Sequence, residues 1–141
     1  MKCVVDVNVI LSAVLGVGNS SNIFALNYIF NKFDFISPEF VLIEIGKHSQ
    51  EIMKRTSFSE KKLKEVINFV SKQITFISEE QYKDKIKEAK FILKEHQKDL
   101  PYLALAIKFN CKVFSGDKIL KKIVPEKVTN PKEMRDIFYN S

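Results

Sequence analysis

Apolar and polar positions fall in short blocks whose period switches repeatedly between that of a strand and that of a helix. Cys3-Val4-Val5 is a brief apolar run ending on Asp6, the pattern of a short buried strand closed by a carboxylate. Residues 8–15 predict a short helix, stopped by Gly16-Val17-Gly18-Asn19-Ser20-Ser21. Ile23, Phe24, Leu26, Ile29 and Phe30 recur at helical spacing and predict a second helix with one apolar stripe. Residues 33–36 predict a second strand, after which Ser37-Pro38 offers an N-cap and a first-turn proline for a third helix. That helix is apolar nearly all round, with one carboxylate, Glu44, set within it.

Leu63, Val66, Ile67 and Val70 predict a helix starting near Ser59, and residues 74–77 a third strand. Ser78-x-x-Gln81 has capping-box spacing for a helix over 82–95, with Lys83, Lys85, Lys87, Lys90 and Lys94 on its outer face. Pro101 opens a helix over 100–109, and residues 112–115 form a strand that turns through Gly116-Asp117-Lys118 into a short helix. Residues 127–129 are a last strand, and Asn130-Pro131-x-Glu133 supplies cap, first-turn proline and N3 acid for a final helix. This alternation predicts an α/β fold: a small, mostly parallel sheet with helices on both faces. Such a sheet carries its functional groups beyond the carboxyl ends of its strands. Asp6 and Asp117 fall there.

Composition narrows the class. The 141 residues suit one domain spanning 1–141. An apolar share of 45% and a charged share of 28% are those of a globular chain. No apolar run approaches the ~20 residues that cross a bilayer, and the N-terminus meets Asp6 too soon for a secretory signal. Cys3 and Cys111 lie in apolar runs without Cys or His at metal spacing, so neither a disulfide scaffold nor a zinc site is expected, and a cytoplasmic home is. With 23 basic and 17 acidic residues the net charge is +6, which favours a polyanionic partner over a cationic one. There is no phosphate-binding loop, because Gly16-Val17-Gly18 lacks the G-x-x-x-x-G-K frame.

Four acids, Asp6, Glu44, Asp99 and Asp117, are embedded in or flush against apolar segments. Asp6 could simply end its strand, and Asp99 and Asp117 could cap the helices that follow them. Glu44 is harder to explain that way, because a buried Glu is rare unless paired. With two Arg in the chain, pairing would fall to Lys, a poor bidentate partner. A hard divalent cation from solution, Mg²⁺ or Mn²⁺, is the better counter-charge for carboxylates arriving from separate elements. His48 and His96 read as solvent-facing; His96 could act as a general base, but no Ser or Cys nucleophile accompanies it. Asp6-Val7-Asn8 lacks the second Asp of a phosphoaspartate hydrolase, and a receiver-type acid pocket would leave Glu44 and Asp99 without a role.

These segments resemble the motifs of PIN-domain ribonucleases, the fold of VapC-type toxins. Val4-Val5-Asp6-Val7-Asn8-Val9-Ile10-Leu11-Ser12-Ala13 is similar to the family's opening motif, and Ser37-Pro38-Glu39-Phe40-Val41-Leu42-Ile43-Glu44-Ile45 to its second. Lys98-Asp99-Leu100-Pro101-Tyr102-Leu103-Ala104-Leu105-Ala106 resembles the third, and Val113-Phe114-Ser115-Gly116-Asp117-Lys118 the fourth. Each motif alone is weak, but the four occur in order between residues 2 and about 129. The resemblance implies that Asp6, Glu44, Asp99 and Asp117 bind Mg²⁺ or Mn²⁺ and carry catalysis, with Asn8 and Ser115 orienting carboxylates and waters. It implies hydrolysis of RNA phosphodiesters, a small antitoxin partner, and homodimers through the exposed faces of the second helix and the Ser59 helix. The alternatives are a housekeeping nuclease for RNA maturation or structured DNA, and a silent RNA- or protein-binding module. Without the four acids the chain has 23 basic and 13 acidic residues, a +10 body around an acidic pocket. On that body Lys118 and Lys121 are expected to hold phosphates.

Overall fold

Five short strands lie side by side, and each pairs in parallel with its neighbour. A computed structural model describes residues 1–140 of the protein. The strands are β1 (Lys2–Val5), β2 (Asp34–Pro38), β3 (Ile74–Ile77), β4 (Lys112–Phe114) and β5 (Val128–Thr129), in the order β3-β2-β1-β4-β5. Val4 is in register with Ile36 on one side and Val113 on the other. Parallel neighbours need crossover segments, and helices supply them. From β1 the chain passes through α1 (Val7–Leu15) and α2 (Ser20–Phe30) to β2, then through α3 (Phe40–Lys47), α4 (Ser49–Thr56) and α5 (Glu60–Ser71) to β3. It returns through α6 (Glu79–Tyr82), α7 (Ile86–Leu93) and α8 (Leu100–Phe109) to β4, through α9 (Lys118–Ile123) to β5, and ends on α10 (Pro131–Tyr139).

Consecutive strand residues point to opposite faces, and Val4 with Val5, Phe35 with Ile36, and Val113 with Phe114 are all buried. Both faces of the sheet are therefore covered, as the apolar runs predict. Phe24 of α2 packs on Phe35 with ring centroids 5.1 Å apart. The small and aliphatic run Leu103-Ala104-Leu105-Ala106 lets α8 lie close against β1. Strand order reverses at β1, which is flanked by β2 on one side and β4 on the other; the crevice at that reversal lies past Val5 and Phe114.

Several expectations are corrected. Ser37 and Pro38 belong to β2, and the Ser37 hydroxyl donates to the Val5 carbonyl at 2.8 Å instead of capping α3. The all-apolar helix is not buried all round: Val41 and Ile45 enter the core, whereas Leu42 and Ile43 are 49% and 64% exposed. The α2 stripe also divides, with Ile23 and Phe24 inside and Ile29 and Phe30 outside, because the buried Asn27 takes the inner face beside Phe33. Ser78 makes no side-chain cap, and the helix expected over 82–95 is broken into α6, a 3₁₀ turn at Lys83–Lys85, and α7. The capping box at Asn130 and Glu133 is present as expected.

Cys3 and Cys111 are both free. Burial pushes the Cys3 thiol up to about 12. Among the described residues no single helix is long and apolar enough to cross a membrane. The pair α1 and α2 reaches that length only across a 91° bend, and α1 buries Val9, Ile10, Ala13 and Val14 in the core.

Candidate active site

Asp6 stands where β1 ends and α1 begins. One of its carboxylate oxygens, Oδ1, accepts the Val9 amide at 2.9 Å and caps α1, so Asp6 rather than Asn8 starts this helix. Ser115, fully buried after β4, hydrogen-bonds the Asp6 carboxylate through its hydroxyl and accepts the Asp117 amide at 3.1 Å. One hydroxyl thus joins two strand ends. Asp117 divides its labour between its two oxygens. Its Oδ1 accepts the amides of Ile119 and Leu120 and caps α9, and its Oδ2 faces the pocket.

Asp99 is buried at the start of α8 but makes no capping bond, which removes the structural explanation open to it in the sequence. Its Oδ2 instead lies 2.8 Å from His96 Nε2. The same His96 nitrogen lies 3.8 Å from Asp117 Oδ2, to which the Lys98 ammonium donates at 2.8 Å. Ligating atoms of His96, Asp99 and Asp117 all lie within 4.8 Å of one another. Asp6, Asn8, Ser12, Lys98 and Asp117 line one open cleft of about 290 Å³. The Tyr102 hydroxyl accepts the Val7 amide at 3.2 Å and ties α8 to α1 beneath it.

Charges in this cleft are strongly perturbed. Burial pushes the Asp6 carboxyl up to about 6, against the Ser115 hydroxyl and the Val9 amide, while the Asp99 charge adds to the rise. Burial also raises Asp99, with Asp117 adding to it and the His96 hydrogen bond opposing. Partial desolvation pushes Asp117 upward, but the Lys98 ammonium and the Leu120 and Ile119 amides together outweigh it and hold Asp117 low. Burial thus disfavours the charge on two carboxylates, and the third is held ionised by a lysine.

The remaining expected residues are placed differently. Glu44 on α3 pairs with Lys47 at 3.3 Å and stands outside the His96–Asp99–Asp117 cluster. Its charge still reaches the Tyr102 hydroxyl, as do those of Asp6 and Asp99. Lys118 is exposed at the start of α9. The Lys121 ammonium is held by Glu133 at 2.8 Å and by the Val128 carbonyl at 2.7 Å. His48 lies beside Glu51 and is half-exposed. His96 is not the solvent-facing residue its sequence suggested: its side chain is 17% exposed and turned onto Asp99. Lys98 was also missed. The i,i+3 spacing from His96 to Asp99 was the available signal for the histidine, whereas nothing distinguished Lys98 among the lysines around it.

The PIN domain family model matches residues 4–131. Among solved structures, the chain is similar in fold to one described as the crystal structure of VapBC2 from Rickettsia felis bound to a DNA fragment from their promoter. The TM-score is 0.67 and the identity 14%, with 92% of this chain and 98% of that chain covered. No curated protein sequence matches. The family match runs from β1 into the start of α10 and takes in every acid of the cleft, so the chain belongs to the PIN domain family.

Proposed function

We propose that the protein is a divalent-metal-dependent endoribonuclease acting as the toxin of a toxin–antitoxin pair. One observation carries this reading: Asp6 and Asp117 line one cleft at the carboxyl ends of β1 and β4, and Asp99, 93 residues after Asp6 and 18 before Asp117, joins Asp117 and His96 in a cluster whose ligating atoms lie within 4.8 Å of one another. The donor set is right for Mg²⁺ or Mn²⁺, being hard carboxylate oxygens from three separate elements, two of them with their charge disfavoured by burial. The Lys98 ammonium on Asp117 marks where positive charge is favoured. A bound cation would supply polarisation of a phosphoryl oxygen and activation of a water for in-line attack.

The chain's own residues do the positioning. Asp6, Asp99 and Asp117 would hold the cation, and Ser115 fixes the first and last of them relative to each other. Asn8, on the first turn of α1 at the cleft edge, is suited to orienting waters or carboxylates. Glu44, the fourth acid that the family resemblance implies, is paired with Lys47 on α3 and stands outside this set. Lys98, once released from Asp117, and Lys118, exposed next to Asp117 in the chain, would hold the phosphates of a bound strand, with the basic body of the protein behind them.

The antitoxin rests on the likeness to a VapBC2 complex, whose description names promoter DNA. A homodimer is supported by the exposed Tyr28, Ile29 and Phe30 of α2, where Tyr28 packs on Phe69 of α5 at 5.2 Å. The test incubates purified protein with total RNA and Mg²⁺ or Mn²⁺, with and without chelator, and maps the new ends. Internal cuts that disappear with chelator and in Asp99→Asn are expected. Cutting that survives chelator would overturn the metal, and cutting of structured DNA alone would overturn the RNA. A short DNA-binding protein encoded next door that binds this chain and stops the cutting would identify the antitoxin.

A further inference from the structure

We infer that His96 is a nitrogen ligand of the catalytic cation, an inference that rests on the metal-dependent reading above. The four acids implied by the family resemblance provide oxygen only, and one of them, Glu44, is drawn off toward Lys47 with its side chain 35% exposed. Beside Asp99 and Asp117 the cluster holds an imidazole, that of His96. His96 sits just before the 3₁₀ turn Gln97–Asp99, and its amide donates to the Leu93 carbonyl at 3.0 Å at the end of α7, which anchors the backbone behind the ring.

A histidine that merely steadied Asp99 would need one carboxylate. Here two, from different elements, converge on the same Nε2 atom, Asp99 at 2.8 Å and Asp117 at 3.8 Å. Adjacent ligands around an octahedral ion at ~2.1 Å are roughly 3 Å apart, so these spacings need little change to enclose a cation. The ring exchanges its hydrogen bond to Asp99 for the ion, and its proton resides on Nδ1. Lys98 offers no obstacle: its side chain is 63% exposed and can leave Asp117 Oδ2 when the cation enters. A nitrogen donor also shifts preference toward transition ions, so this centre should favour Mn²⁺ over Mg²⁺ more than an all-carboxylate site would.

The test reads the metal, not the reaction. Mn²⁺ is added to the metal-free full chain, binding is measured by titration, and pulsed electron paramagnetic resonance looks for imidazole nitrogen coupling. The chain contains two histidines, so a His48→Gln variant isolates His96 without touching it. Coupling is expected in the original protein and in His48→Gln and absent from His96→Gln. That variant should bind Mn²⁺ at least roughly 10-fold more weakly, since even outer partners of ligands are worth that much, and should lose part of the Mn²⁺-over-Mg²⁺ preference. Bound Mn²⁺ without nitrogen coupling in the original protein, or coupling that persists in His96→Gln, would overturn the ligand assignment and leave the nuclease reading standing. Failure of the original protein to bind Mn²⁺ at all would overturn both.

Discussion

Asp6 caps a helix and lines the cleft with one side chain, and the cost of doing so can be measured. The folded protein keeps the Asp6 proton up to about pH 6, whereas the unfolded chain releases it near 3.8. The folded state is the one that binds the proton more tightly, so Asp6 favours folding below pH 3.8 and that contribution is lost as pH rises through about 6. The gap corresponds to on the order of 2–3 kcal/mol. In chelator, Asp6→Asn should therefore be more stable than the original protein at pH 7.5, because Asn keeps the capping oxygen for Val9. The advantage should shrink toward zero near pH 4. Denaturant unfolding of both proteins across that range checks it; a difference independent of pH would mean that burial does not disfavour the charge. Added Mn²⁺ should erase the advantage by stabilising only the original protein.

At the scale of elements, the strand–helix junctions decide where side chains go, and buried polar residues set the junctions. Asn27 of α2 accepts the Phe33 amide at 2.7 Å and donates to the Phe33 carbonyl at 3.2 Å, satisfying both backbone groups of the residue that leads into β2. The chain could otherwise place Ile29 and Phe30 inward, as the apolar spacing suggests. Asn27→Leu should cost about 2–3 kcal/mol, because it leaves two buried backbone groups without partners. Thermal melts would show this as a clear loss of stability, and a loss below roughly 0.5 kcal/mol would mean that water replaces the amide readily. The same kind of control explains Ser37. Its position before Pro38 has the look of a helix start, yet the register of β2 beside β1 and β3 carries both residues into the sheet.

At the scale of the whole molecule, a +6 chain concentrates its cleft acids on one side of the sheet's reversal point. Binding of single-stranded RNA should fall steeply with salt, with a log–log slope of about 0.7 for each phosphate that the protein neutralises. Lys118→Met should reduce that slope by roughly one phosphate's share, measured in Ca²⁺ or with Asp99→Asn to prevent cutting. Lys121→Met should leave the slope unchanged. It should instead lower the melting temperature by roughly 3–5 °C, because the ammonium bridges Glu133 of α10 and the Val128 carbonyl of β5. Equal effects of the two substitutions on RNA binding would show that the cleft margin is not the path of the strand.

The five-strand alternation, the capped starts of α5, α9 and α10, and three acids of the cleft were legible in the sequence. Each rests on local chemistry: a buried parallel strand must be continuously apolar, and a cap needs its oxygen at a fixed offset from the amides it accepts. What tertiary structure alone decided is which faces are buried and which charges meet. Apolar spacing fixes the period of a helix but not which side meets the sheet, so Ile43 and Phe30 emerge on the surface. Polar contacts within the cleft join residues up to 109 positions apart, as Ser115 is from Asp6, and no local pattern encodes such a distance. His96 and Lys98 enter the site for the same reason. The turn before α8 aims them at Asp99 and Asp117, and that direction exists only once α8 lies against β1 and β4.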